Sequence, residues 1–90
     1  MKKHYLKTWP EYFQAVKSGK KTFEIRKNDR DYQTSDELVL QEFDPELGYT
    51  GAEDICLDVT YTLDKLPFVP EGYICMAVKE NLSAANKGDC

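Results

Sequence analysis

Apolar positions in the first third of the chain follow two different periods. Trp9, Tyr12, Phe13 and Val16 recur at the spacing of one helical face, with Glu11, Gln14 and Lys17 opposite. Thr8 is placed as the N-cap, Glu11 completes a capping box, and Pro10 sits in the first turn, where its missing N–H is harmless. Gly19 supplies the stop, because a glycine just past the last turn accepts the left-handed conformation. From Thr22 to Lys27 the period falls to two. Phe23 and Ile25 share one face, assigned to the core, and Thr22, Glu24 and Arg26 share the other.

The remainder reads as strands. Asn28 to Asp31 is a turn, Leu38 to Phe43 a strand, and Asp44-Pro45 with the loop through Gly48 and Gly51 marks a hairpin. Ile55, Leu57, Val59 and Tyr61 alternate with Cys56, Asp58, Thr60 and Thr62, and the expected partner strand is Tyr73 to Lys79. Leu63 to Gly72 contains Pro67 and Pro70 and is a loop, while Tyr5 to Lys7 forms a short first strand. The pattern predicts an α+β, mainly β fold. About five strands form a small curled or closed barrel with one N-terminal helix covering an opening. One domain is expected over residues 1–82, and residues 83–90, with little to bury, form a flexible tail.

Ninety residues suffice for a modest core and a shallow pocket. No apolar run approaches the roughly 18 residues of a membrane span, and Met1 to Thr8 lacks a secretory signal, so a cytoplasmic protein without membrane association is expected. Cys56, Cys75 and Cys90 include no Cys-x-x-Cys pair and read as reduced thiols. With His4 the sole histidine, neither a metal site nor a cofactor is expected. Charge is divided unevenly: residues 1 to 30 carry nine Lys or Arg against three Asp or Glu, net +6, and the remainder carries three against thirteen, net −10. Such a basic patch on an acidic body favours a local anion over a long polyanion.

Standard catalytic constellations are missing. Gly19-Lys20-Lys21-Thr22 lacks the spacing of a phosphate-binding P-loop, and Glu42, Asp44, Asp58 and Asp64 form no recognisable acid/base pair. The polar density lies just after the helix, where Lys20, Lys21, Glu24 and Arg26 offer donors and an acceptor together. That mixture suits a planar polar ligand, with Lys or Arg on phosphate and Glu accepting from a base amino group. The competing structural reading is a Glu24–Arg26 ion pair on an exposed sheet face. Trp9, Tyr12 and Phe13 are assigned to the core rather than to a stacking platform.

The helix with Tyr12-Phe13 and Val16, the run Ser18-Gly19-Lys20-Lys21-Thr22-Phe23-Glu24-Ile25-Arg26, and a turn and strand near Asp36 resemble the ASCH domain of the PUA-like superfamily. The likeness extends from about Tyr5 to Val78. His4 to Arg30, with Leu40 to Asp44 and Gly48 to Gly51, resembles a small ASCH-related family of unknown function in bacteria and phages. This resemblance implies a barrel with a cleft between the helix and the motif strand, and RNA binding as its role. Some relatives resemble an amidohydrolase of acetylated cytidine in which a lysine and a threonine three residues later act as base and nucleophile. Those positions hold Lys21 and Glu24 here, and a carboxylate does not replace that hydroxyl; Glu71 is a candidate for the assisting glutamate. Ser35 stands where the family often has glycine, which alters that turn without touching the cleft.

The expectation is therefore an RNA- or nucleotide-binding module using Lys20, Lys21, Glu24 and Arg26, with Lys7, Lys27 and Arg30 as a basic rim. Two alternatives stand beside it: an amidohydrolase of N-acylated cytidine using Lys21 and Glu24, and a phage-type module that binds a protein partner through the acidic hairpin around Asp44 to Asp54.

Overall fold

Residues 1–81 are described by a computed structural model, so the tail expected over residues 83–90 lies outside the described residues. Along the chain come β1 (Lys3–Thr8), α1 (Pro10–Lys17), β2 (Phe23–Lys27), β3 (Glu37–Asp44), β4 (Gly48–Tyr49), β5 (Ile55–Leu63) and β6 (Tyr73–Glu80). The strand order is β1-β3-β5-β6-β2, with β4 added to β3. β1 runs parallel to β3, in the register Tyr5 to Val39, and all other pairings are antiparallel. β1 and β6 bury alternate residues, as a half-solvated sheet does, whereas Glu37 to Leu40 of β3 and Ile55 to Leu57 of β5 are buried on both faces.

Alternation drives the packing. β1 buries His4, Leu6 and Thr8 while exposing Lys3, Tyr5 and Lys7. Leu38 and Leu40 of β3, Ile55, Leu57 and Val59 of β5, and Ile74, Met76 and Val78 of β6 complete the core, which α1 covers with Phe13 and Val16. Phe13 is fully buried, so its truncation to alanine is expected to cost about 3 kcal/mol. Glu42 of β3 ties the layers together: it accepts from Gln14 Nε2 of α1 at 3.1 Å and from Thr50 Oγ1 beyond β4 at 2.6 Å. Those bonds, Thr50 foremost, hold its carboxyl below the usual value against the opposing effect of burial.

Several expectations change. The barrel does not close: six strands form an open sheet whose terminal strands, β1 and β2, share no ladder among the described residues. Side chains stand in the gap instead. Arg26 Nη1 donates to Lys7 O at 3.1 Å and Arg30 Nη1 to Tyr5 O at 2.9 Å, so guanidinium groups occupy β1 edge carbonyls that a closing ladder would need. Helix α1 begins from Trp9 without a side-chain cap. Thr8 belongs to β1, where its hydroxyl donates to Leu6 O, so no capping box forms. In β5 a bulge between Val59 and Tyr61 breaks the expected alternation and turns Tyr61 outward, 66% exposed. Cys75 is a free thiol, whereas Cys56, expected to be reduced, is disulfide-bonded. No helix among the described residues is long and apolar enough to cross a membrane.

Candidate functional site

The alternation of β2 is inverted relative to its hydrophobicity. Phe23 and Ile25 are 43% and 53% exposed, and Glu24 is 2% exposed. An acidic side chain on the inner face is costly unless paired and hydrogen-bonded, and here it is both. Glu24 Oε1 accepts from Arg26 Nε at 3.1 Å and Nη2 at 2.9 Å, and Oε2 accepts a short bond from Lys21 Nζ. Phe23 and Ile25 thereby face outward, where Phe23 pairs with Ala77 and Ile25 with Cys75 of β6.

Local structure aims the two cations. Gly19, at φ 81°, ends the helix in the left-handed region, and the amides of Lys20 and Lys21 both donate to Ala15 O at 3.0 Å. The turn thus delivers Lys21 against Glu24, three residues on, with a second bond from Nζ to Phe23 O at 2.8 Å. Arg26 reaches across the seam, donating to Thr8 Oγ1 at 3.1 Å and to Lys7 O. An ammonium carries three N–H groups and a guanidinium five. Lys21 uses two and Arg26 four in these bonds, which leaves one donor on each without a partner among the described residues. The Lys21–Glu24–Arg26 cluster has a formal charge of +1 and two unused N–H groups.

This cluster floors an open cleft of about 1050 Å³ between α1 and β2. Lys7, Thr8 and Lys20 add polar lining; Trp9, Tyr12, Phe23, Ile25 and Tyr73 form its apolar walls. Four of the predicted binding residues, Lys20, Lys21, Glu24 and Arg26, converge here, joined by Lys7. Arg30 instead bridges to β1, and Lys27 is exposed opposite Tyr73 outside the cleft lining. Trp9 and Tyr12, assigned to the core from their helical spacing, are 55% and 46% exposed and line the cleft. Only Phe13 and Val16 of that helical face are buried. The signal that separates them is position: Trp9 is the cap residue and Tyr12 lies in the first turn, over the seam rather than over the core.

Beneath the cluster, Tyr32 is 4% exposed and packs edge-on against His4, with ring centroids 4.7 Å apart. Burial pushes its phenol pKa up, partly offset by Arg30 and Arg26. Among the described residues no group of three or more His, Cys, Asp or Glu side chains is placed to hold a metal ion.

Known proteins share this frame. The solved structure of a hypothetical protein, PH0355, is similar with a TM-score of 0.59 at 16% identity, covering 90% of this chain and 100% of that one, which shows a common fold. A 40-residue stretch, 44% of this chain, is 45% identical to an uncharacterized 12.9 kDa protein in the GpA 3' region of Escherichia phage P2 and covers 37% of that relative. Residues 3–78 match the family described as a domain of unknown function, DUF3850, and the chain belongs to that family.

Proposed function

We propose that the cleft binds a nucleotide or a short single-stranded RNA element, in the manner of an ASCH-like, PUA-like module. The observation that carries this reading is the buried Glu24, which orients Lys21 and Arg26 toward the cleft while each keeps an unused N–H. Lys20, Lys21 and Arg26 meet phosphate or carbonyl oxygens. Glu24, at 2% exposure, acts chiefly as the anchor that holds the two cations in place. Trp9, Tyr12 and Phe23 offer ring surface for a base, which stacks without demanding one sequence. The position of the cleft, between the helix and the Gly19 to Arg26 segment, supports the ASCH-like reading.

Soaking crystals with a panel of cytidine and uridine nucleotides tests the proposal. Density beside Lys21 and Arg26 is the expected result. An empty cleft at millimolar nucleotide would set it aside.

A further inference from the structure

Lys7 belongs to the cleft and to a second feature outside it. Its ammonium lies 4.6 Å from the centroid of the Phe43 ring and 5.9 Å from that of Tyr49. Those two rings, on β3 and its hairpin partner β4, meet edge to face with centroids 5.0 Å apart. Tyr49 is 58% exposed. Among the described residues no carboxylate pairs with Lys7, so its charge is held against ring faces at the margin of the cleft.

The arrangement connects one cation, without a carboxylate partner among the described residues, to an aromatic-lined cleft and to an aromatic pair. Lys7 lines the cleft together with Trp9, Tyr12, Lys21 and Arg26, and its ammonium lies against the Tyr49–Phe43 pair. A single-stranded nucleic acid presents the same alternation, with a base, a phosphate and a base. Aromatic platforms take the bases and a cation between them takes the phosphate.

Resting on the nucleotide-binding reading above, we propose that the ligand is a single-stranded RNA of at least two nucleotides. Its first base lies in the cleft, its second stacks on Tyr49, and Lys7 turns from the ring faces to the phosphate between them. Lys7 is suited to that movement because its contacts are with ring faces, which hold an exposed ammonium only weakly.

Titrations of the 90-residue protein with cytidine monophosphate, a cytidine–uridine dinucleotide and a six-nucleotide pyrimidine RNA test this. The dinucleotide and the hexamer are expected to bind roughly tenfold more tightly than the mononucleotide, the gain that one stacked base supplies. Tyr49→Ala should remove that gain and leave mononucleotide affinity unchanged. Tyr49→Leu, which keeps an apolar side chain against Phe43, should do the same if the ring face is what matters. Lys7→Gln should reduce the salt dependence of hexamer binding by about 0.7 log units per log unit of salt, the contribution of one phosphate contact on a single strand. Equal affinity for one and two nucleotides, or hexamer binding indifferent to both Tyr49 variants, overturns the inference while the cleft reading stands. Absence of binding by every ligand overturns both.

Discussion

Two carboxylates in this small molecule are buried to the same degree, Glu24 and Asp36, each 2% exposed and each accepting from three donors. Their surroundings differ in kind. Asp36 accepts from the backbone amides of Lys2 and Gln33, both at 3.0 Å, and its Oδ2 lies 2.9 Å from Nε2 of the buried His4. It pins the start of β1 and the loop before β3. Glu24 accepts from two side-chain cations that reach into a cleft, and each cation retains a donor. Burial and pairing are common to the two acids. Unused hydrogen-bonding capacity beside a cavity is what separates the two.

The largest effect is expected at Asp36. Asp36→Ala leaves His4 and two amides without their shared acceptor and should cost about 3 kcal/mol in urea unfolding, with RNA affinity per folded molecule unchanged. Its pH dependence has a definite sign. Burial works to raise the Asp36 pKa, but the bonds from His4, Lys2 and Gln33 prevail and hold it below the ordinary value. A lowered folded-state pKa means that the stabilisation is complete above the unfolded-state value, about 4, and is lost as pH falls through the folded-state one. An acid unfolding profile should therefore be flatter below about pH 4 in Asp36→Asn than in the parent protein.

Glu24→Gln is the matching change at the other acid. It removes the charge that Lys21 and Arg26 share, with an expected loss of about 2 kcal/mol in stability. It should also lower RNA affinity about tenfold, measured by fluorescence anisotropy, because the cations lose their aim. A stability loss with intact binding would make Glu24 a second Asp36.

Smaller effects test the local geometry. Ser35, next to Asp36, sits at φ 81°, a conformation that penalises a side chain and suits glycine. Ser35→Gly is expected to raise stability by about 1 kcal/mol in the same urea assay. Phe23→Ser and Ile25→Thr should each cost about 1 kcal/mol, because each side chain is only about half exposed. A loss several times larger would restore the inward orientation that their hydrophobicity suggests.

That inversion also shows what was legible in the amino-acid sequence. The helix, its stop at Gly19, and the strands at Leu38 and Tyr73 follow from period and turn chemistry, which are local properties. The grouping of Lys20, Lys21, Glu24 and Arg26 was legible too, since they lie within seven residues of one another. Which face of β2 turns inward was not. Hydrophobic alternation assigns Phe23 and Ile25 to the core, but the interior at this end of the sheet is lined by Thr8 and the seam-crossing Arg26, and a paired Glu24 fits it better than an isoleucine. The parallel β1–β3 pairing, the bulge before Tyr61 and the gap between β1 and β2 depend on contacts distant in sequence, and no local pattern announces them. Trp9 and Tyr12 were misassigned because their period matches that of the buried Phe13 and Val16, whereas at the start of α1 both line the cleft. Local rules fail where the cleft is built, because contacts distant in sequence decide burial there.

Phosphate binding by Lys21 is tested by the salt dependence of RNA affinity. Affinity for a six-nucleotide pyrimidine RNA is followed by fluorescence anisotropy across a series of salt concentrations, in the parent protein and in Lys21→Gln. Log affinity should fall linearly with log salt, with a slope shallower by about 0.7 in the variant, one phosphate contact fewer. Identical slopes and affinities in the two proteins would contradict it.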